Sequence, residues 1–219
     1  MNVPPGLRER KKLRTRQQIA DTARRLFGQR GFEAVTVAEV ARAAEVSEAT
    51  VFNYFPTKED LFYSGLEAFE EELLSAIRDR VPGETVFEAF ARFIVEPRGV
   101  FAMRGPDEAR EATKLLRTTN RIITESPALL ARERQIFARY TASLTELIAE
   151  DTGAPEDDAT PAVVAAALMG VHRALIDYVR RRTAAGVEAP ELRRATRRQA
   201  RRAIGVLEEG LGGYGRKMT

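Results

Sequence analysis

Apolar positions recur at intervals of three and four residues along almost the whole chain, and no stretch alternates at two. That is the pattern of helices without strands. A first helix is predicted from near Thr15 to near Arg30, with Ile19, Ala23, Leu26 and Phe27 on its apolar face and Gly31 as its stop. A second opens at Thr36, where Glu39 completes a capping box and Val35 with Val40 can staple the entry. Ser47 caps a short third helix that turns Val51 and Phe55 inward alongside Val46, and Pro56 ends it. Thr57 starts a long fourth helix with Leu61, Phe62, Leu66, Phe69, Leu73 and Ile77 inside.

Beyond Pro82-Gly83 the pattern continues. One helix carries Val86, Phe87, Phe90 and Ile94, and another covers Asp107 to about Thr124. Ser126-Pro127 opens a helix with Leu130, Phe137, Tyr140, Leu144 and Leu147 inside, since proline at the first helical position loses no hydrogen bond. Thr160-Pro161 opens the next, with Val164, Leu168, Val171, Leu175 and Val179 on one face. Pro190 opens the last, with Leu192, Ala203, Leu207 and Leu211. The expected fold is all-α with about nine helices: a three-helix N-terminal domain (1–56) joined by the long fourth helix to a helical C-terminal domain (57–219). A polar tail containing Gly210 to Gly215 follows.

Charge changes the picture at the N-terminal end. The net charge is +3, but residues 1–30 carry nine cations against Glu9 and Asp21, which is +7 and leaves −4 for the rest. Such asymmetry favours a polyanionic partner at that end. There are no cysteines, which excludes disulfides and thiolate chemistry. One histidine and scattered carboxylates, among them Glu70-Glu71-Glu72 and Asp157-Asp158, supply no catalytic or metal-binding set. The expectation is no enzyme, no cofactor and no metal. The N-terminus lacks the apolar core of a secretory signal, and no apolar run is long enough to span a bilayer, so a cytoplasmic protein without a membrane partner is expected.

The third helix is built for a DNA groove. With Val51 and Phe55 buried, Glu48, Ala49, Thr50, Phe52, Asn53 and Tyr54 are left for the groove and its walls. Asn53 can pair bidentately with adenine, Thr50 offers a hydroxyl and a methyl, Ala49 can meet a thymine methyl, and Glu48 can accept from cytosine. Tyr54, Lys58 and the caps Thr15 and Thr36 are placed for phosphates, and the cap Ser47 is a further DNA-contact candidate. The basic first helix adds attraction that is independent of sequence.

The pieces TRQQIADTARRLFGQRGFEAVTVAEVARAA and VSEATVFNYFPTKEDL, in this order from Thr15 to Leu61, resemble the N-terminal domain of TetR-type transcriptional regulators. The resemblance implies DNA contacts from Thr50, Phe52, Asn53, Tyr54 and Lys58, with Thr36 on the backbone. One departure is Glu45, where the family often has glycine before valine-serine. Either this turn is not left-handed or the strain is absorbed.

The resemblance also implies a homodimer on a palindromic operator of double-stranded DNA, most simply a repressor released by a small-molecule effector. Ala162, Ala166, Gly170 and Ala174, four apart, with Leu207 on the last helix, suit a close dimer interface, although alanine is also simply a good helix former. An effector pocket in the C-terminal body would draw on Phe69, Phe90, Phe101, Arg117, Asn120, Arg121, Phe137, Tyr140, His172 and Asp177, each of which has an ordinary core or surface reading as well. Arginine pairs at 193–194, 197–198 and 201–202 form a basic face on the last helix. That face is either solvated or a surface for an acidic partner, an anionic membrane or further nucleic acid. An interaction protein acting through it is the alternative to the regulator.

Overall fold

A computed structural model describes residues 6–64 and 67–211, so Leu66, the side chain of Leu211 and the tail beyond it lie outside the described residues. The described residues form ten α-helices, one more than expected, and a short 3-10 turn at Gly99–Phe101, with no strand among them. The helices are α1 (Leu7–Arg30), α2 (Val37–Ala43), α3 (Glu48–Tyr54), α4 (Lys58–Phe62), α5 (Glu67–Arg78), α6 (Val86–Val95), α7 (Pro106–Glu125), α8 (Pro127–Thr152), α9 (Thr160–Ala184) and α10 (Ala189–Leu211).

Two expectations about helix ends are corrected. The first helix begins at Leu7, two turns before Thr15, so Thr15 is inside α1 and caps nothing. The charged segment 8–14 has no apolar face, and periodicity alone could not extend the helix into it. The long fourth helix is two helices: α4 ends at Tyr63, whose amide closes back on the Glu59 carbonyl, and helix resumes at Glu67. Apolar spacing from Leu61 to Ile77 is continuous enough to hide that break.

The chain divides into two compact units, Met1–Glu67 with Arg121–Arg132, and Ala68–Asn120 with Glu133–Thr219. In the first, Ile19, Ala23 and Phe27 of α1 are buried with Val35, Val40, Val51, Phe55 and Leu61, and Phe27, Phe32 and Phe62 pack ring to ring at 5.3–5.9 Å. Val46 and Leu26 are only half-buried. The residues 121–132 belong here through three bonds: Ser126 Oγ donates to Glu33 at 2.6 Å, Tyr63 donates to the Leu129 carbonyl at 3.1 Å, and Arg132 pairs with Asp60.

The second unit is built on Leu73 and Ile77 of α5, Phe90 and Phe93 of α6, Leu144 and Ile148 of α8, Val164 and Leu168 of α9, and Leu192 of α10. Thr85 caps α6 with a capping box to Glu88. A buried Arg80 joins the end of α5 to the turn before α6 and to α8. It donates to the carbonyls of Ile77 and Glu84, both at 2.9 Å, and pairs with Asp151. Arg180 and Glu133 form a second, mostly buried pair. Within α8, Leu129 is fully buried and Leu130, the residue expected inside, is half-exposed.

The absence of a membrane-length apolar run is also corrected. An 18-residue window of α9 has mean hydropathy 1.5, enough by length and composition, and 33% of it is buried. The run from Pro161 to Val171 is apolar, and the window passes because it tolerates the few charges that follow.

Candidate nucleic-acid interface

The helix-turn-helix is assembled by local bonds that the residue types dictate. Thr36 accepts from the Glu39 amide at 3.2 Å and its own amide donates to Glu39 at 2.8 Å, which closes the capping box of α2. Arg30 donates to the same carboxylate at 2.8 Å and to the Ala34 carbonyl. These bonds, the Thr36 amide first and then Arg30, lower the Glu39 pKa from 4.5 to about 2. Arg30 is thus used to hold the scaffold and not offered to a partner.

The turn is left-handed at Glu45, with φ 56°. The Glu45 amide donates to Arg42 and the Val46 amide to Ala41, at 3.2 and 3.0 Å. This is the six-to-one and five-to-two pairing that usually ends a helix on glycine. Gln18 of α1 adds a bond to the Ala44 carbonyl at 3.0 Å. Of the two possibilities left open by the sequence, the strain is present and is carried by this bonding.

Ser47 accepts from the Thr50 amide at 3.1 Å and starts α3. Val51 and Phe55 are buried, 1% and 2% exposed, and fix the helix to the unit. The opposite face carries Ser47, Glu48, Ala49, Phe52 and Asn53, all exposed, with Thr50 and Tyr54 half-buried. Phe52 is 46% exposed, far more than a phenylalanine kept for the core. The Thr50 hydroxyl shares a 2.8 Å bond with Ser47, so its orientation is set before any contact. Lys58, in the first turn of α4, lies 4.1 Å over the Phe32 ring, while Thr57 and Asp60 close a capping box around that turn. Thr36 is exposed and Thr15 half-buried. Ahead of them Arg8, Arg10, Lys11, Lys12 and Arg14 are all exposed on α1.

The structure brings some candidate effector residues together and leaves others apart. Phe69 stacks on His172 with ring centres 4.3 Å apart, Phe137 tilts against His172 at 5.5 Å, and Tyr140 stacks on Phe69 at 6.1 Å. Burial lowers the His172 pKa from 6.5 to about 4, so the ring is neutral at pH 7. Phe90 is fully buried on α6, and Phe101 sits on the 3-10 turn. Arg117 is exposed and donates to the Gly186 carbonyl at 2.9 Å, beside a surface cleft of about 520 Å³ lined also by Arg110, Thr113 and Lys114. Asn120 and Asp177 are half-buried. Arg121 is exposed and belongs to the first unit. Cleft and aromatic cluster are therefore different places, and the cluster is the one that combines several of the expected residues.

Sequence reasoning missed the segment 121–132, whose Ser126, Leu129 and Arg132 bond to the helix-turn-helix unit. Bonds across more than 60 residues leave no periodic signal. On the small-residue stripe, Ala162, Ala166, Gly170 and Ala174 are all exposed and Leu207 is half-buried.

Comparison with known proteins agrees with this geometry. Residues 19–64 match the profile of bacterial regulatory proteins of the tetR family, and residues 102–203 match the MftR C-terminal domain. The HTH-type transcriptional regulator TcmR of Streptomyces glaucescens is 31% identical over 173 residues, 77% of this chain and 74% of that protein. The nucleoid occlusion factor SlmA of Photobacterium profundum is 29% identical over 177 residues, 78% of this chain and 86% of that one. Two solved structures share the fold: Salmonella enterica GusR, with TM-score 0.52 and 18% identity over 91% of this chain and 96% of its own, and Pseudomonas aeruginosa NalD, with TM-score 0.52 and 20% identity over the same shares. The helix-turn-helix, the all-helical body and these relatives together show that the chain belongs to the TetR family of DNA-binding transcriptional regulators.

Proposed function

We propose that this regulator acts as a homodimeric repressor, reading a palindromic operator with α3 and leaving it when a small molecule binds. The observation that carries the reading is the division of α3. Val51 and Phe55 anchor it, and Glu48, Ala49, Phe52 and Asn53 stand free on the other face. Asn53 pairs with adenine, Thr50 and Ala49 meet neighbouring base edges, Glu48 accepts from cytosine, and Ser47, Tyr54, Lys58 and Thr36 hold phosphates. Residues 1–56 do the reading and 57–219 regulate it, in the cytoplasm with the chromosome.

Two observations support the dimer. Only a third of the apolar window of α9 is buried in one chain. Gly170, in mid-helix, costs about 1 kcal/mol relative to alanine, yet beyond its own helix turn no atom of the described residues comes within 4 Å of a Cβ built there. The space it keeps serves a neighbour from outside. The effector binds at the aromatic cluster of Phe69, Phe137, Tyr140 and His172, whose stacked rings suit an aromatic molecule, with the guanidinium groups of Arg139 and Arg173 over the Tyr140 and Phe137 rings at 5.5 and 5.6 Å. The bonds from Ser126, Leu129 and Arg132 to Glu33, Tyr63 and Asp60 are the route by which α7 and α8 reach the reading unit.

Selection of bound fragments from random duplexes tests this, followed by a ligand screen for release. A twofold-symmetric consensus is the expected result. A consensus without symmetry, or none, contradicts it.

A further inference from the structure

Two charged surfaces of the second unit are not used by the DNA-reading account. On α10, Arg194, Arg197, Arg198, Arg201 and Arg202 are all exposed, with no acidic residue between Leu192 and Leu207. None of the five forms an ion pair among the described residues, whereas other arginines of this unit do, as Arg98 with Glu72 and Glu96, Arg110 with Asp107 or Arg139 with Glu70. The opposite face of α10 is buried through Leu192, Ala195 and Ala200, so the arginines are held on a fixed support. The second surface has the reverse sign. Between Arg139 and Arg173 there are six acids and no lysine or arginine. Asp151 is taken by Arg80, and Glu146, Glu150, Glu156, Asp157 and Asp158 are exposed.

Between the two surfaces runs the uncovered face of α9, with Ala162, Ala166, Gly170, Ala174 and a 60% exposed Val163. The acidic segment leads straight into the first turn of α9, where Asp158 accepts from the Thr160 amide at 2.8 Å. The arginine helix starts beside the other end of α9, where Arg182 and Glu191 approach to 3.5 Å. An apolar centre with a charged rim is the anatomy of a protein interface. Here the rim is acidic at one end and basic at the other.

We propose that the occupant is a second copy of this chain, and that its acidic segment lies against the arginine face of α10. The claim deepens the dimer reading above and rests on it. A twofold contact places a patch on the axis against its own copy, and five arginines against five would repel. The arginine face therefore lies off the axis. If the two α9 helices cross antiparallel on their small residues, the acidic end of one falls beside the start of α10 in the other. Both copies gain the same pairing, and Arg194, Arg197 and Arg198 meet Glu150, Glu156 and Asp157. The pairing fixes register and direction on a flat alanine face that specifies neither.

The test is a charge swap on the full chain, read by sedimentation equilibrium with circular dichroism as the fold check. One variant carries R194E, R197E and R198E; the other carries E150K, E156K and D157K. Each alone should dimerise at least about tenfold more weakly than the parent, since exposed pairs are worth about 0.2–1 kcal/mol each and reversal adds repulsion on both sides of the axis. Mixed together, the two variants should form a heterodimer near parental affinity, because both symmetry-related pairings then join opposite charges. Parental dimerisation should also weaken as salt rises. A parental dimer indifferent to both reversals overturns this pairing and leaves the dimer standing. Weakened variants that fail to rescue each other also overturn it. A parent that stays monomeric overturns the dimer reading itself.

Discussion

Glycine in place of Glu45 should stabilise the protein. Glu45 holds φ at 56°, and its side chain is exposed and forms none of the bonds that close the turn. The left-handed region costs a residue with a Cβ about 1–2 kcal/mol. Glycine removes that cost but gives up roughly 0.5–1 kcal/mol through its freer unfolded chain. The expected net gain for Glu45→Gly is about 0.5–1 kcal/mol, or a rise in Tm of about 1–4 °C for a chain of this size. Glu45→Ala is the control, since alanine keeps the backbone penalty and should gain nothing beyond the loss of one surface charge. Thermal unfolding followed by circular dichroism decides. A Glu45→Gly variant that is no more stable than Glu45→Ala would refute the strain argument.

Three further outcomes follow from the ionisable groups. Asp151→Asn should cost about 3 kcal/mol by denaturant unfolding, because the buried Arg80 guanidinium loses the carboxylate charge it pairs with. The His172 pKa is depressed from 6.5 to about 4, so the unfolded chain binds the proton first. Its contribution is complete above pH 6.5 and is lost as pH falls toward 4, and His172→Phe should flatten the stability profile across that window. Glu39 is depressed from 4.5 to about 2, so its contribution is present above pH 4.5 and lost below it, and Glu39→Gln should remove that acid limb.

What the sequence could and could not show follows from the range of each interaction. Caps are local, and Thr36, Ser47, Thr57 and the prolines at 127, 161 and 190 mark helix starts within a residue or two of where they stand. The inward face of α3 was equally plain from Val51 and Phe55. Glu45 was visible as a departure from the family's glycine, but whether its turn was left-handed was a matter of φ, which residue type does not report. The start of α1 was missed because a charged segment with a single leucine has no periodicity, and the break after α4 because Leu61 to Ile77 has too much. The pairing of Asp60 with Arg132 and of Arg80 with Asp151 spans about 70 residues, and periodicity names the apolar face without naming what covers it.

The central claim, that α3 lies in a major groove with Asn53 on a base edge, is tested most directly by Asn53→Ala on the selected operator and on an unrelated duplex at one salt concentration. The account predicts a loss of about 1–3 kcal/mol on the operator and almost none on the unrelated duplex. An equal loss on both, or no loss on either, contradicts it.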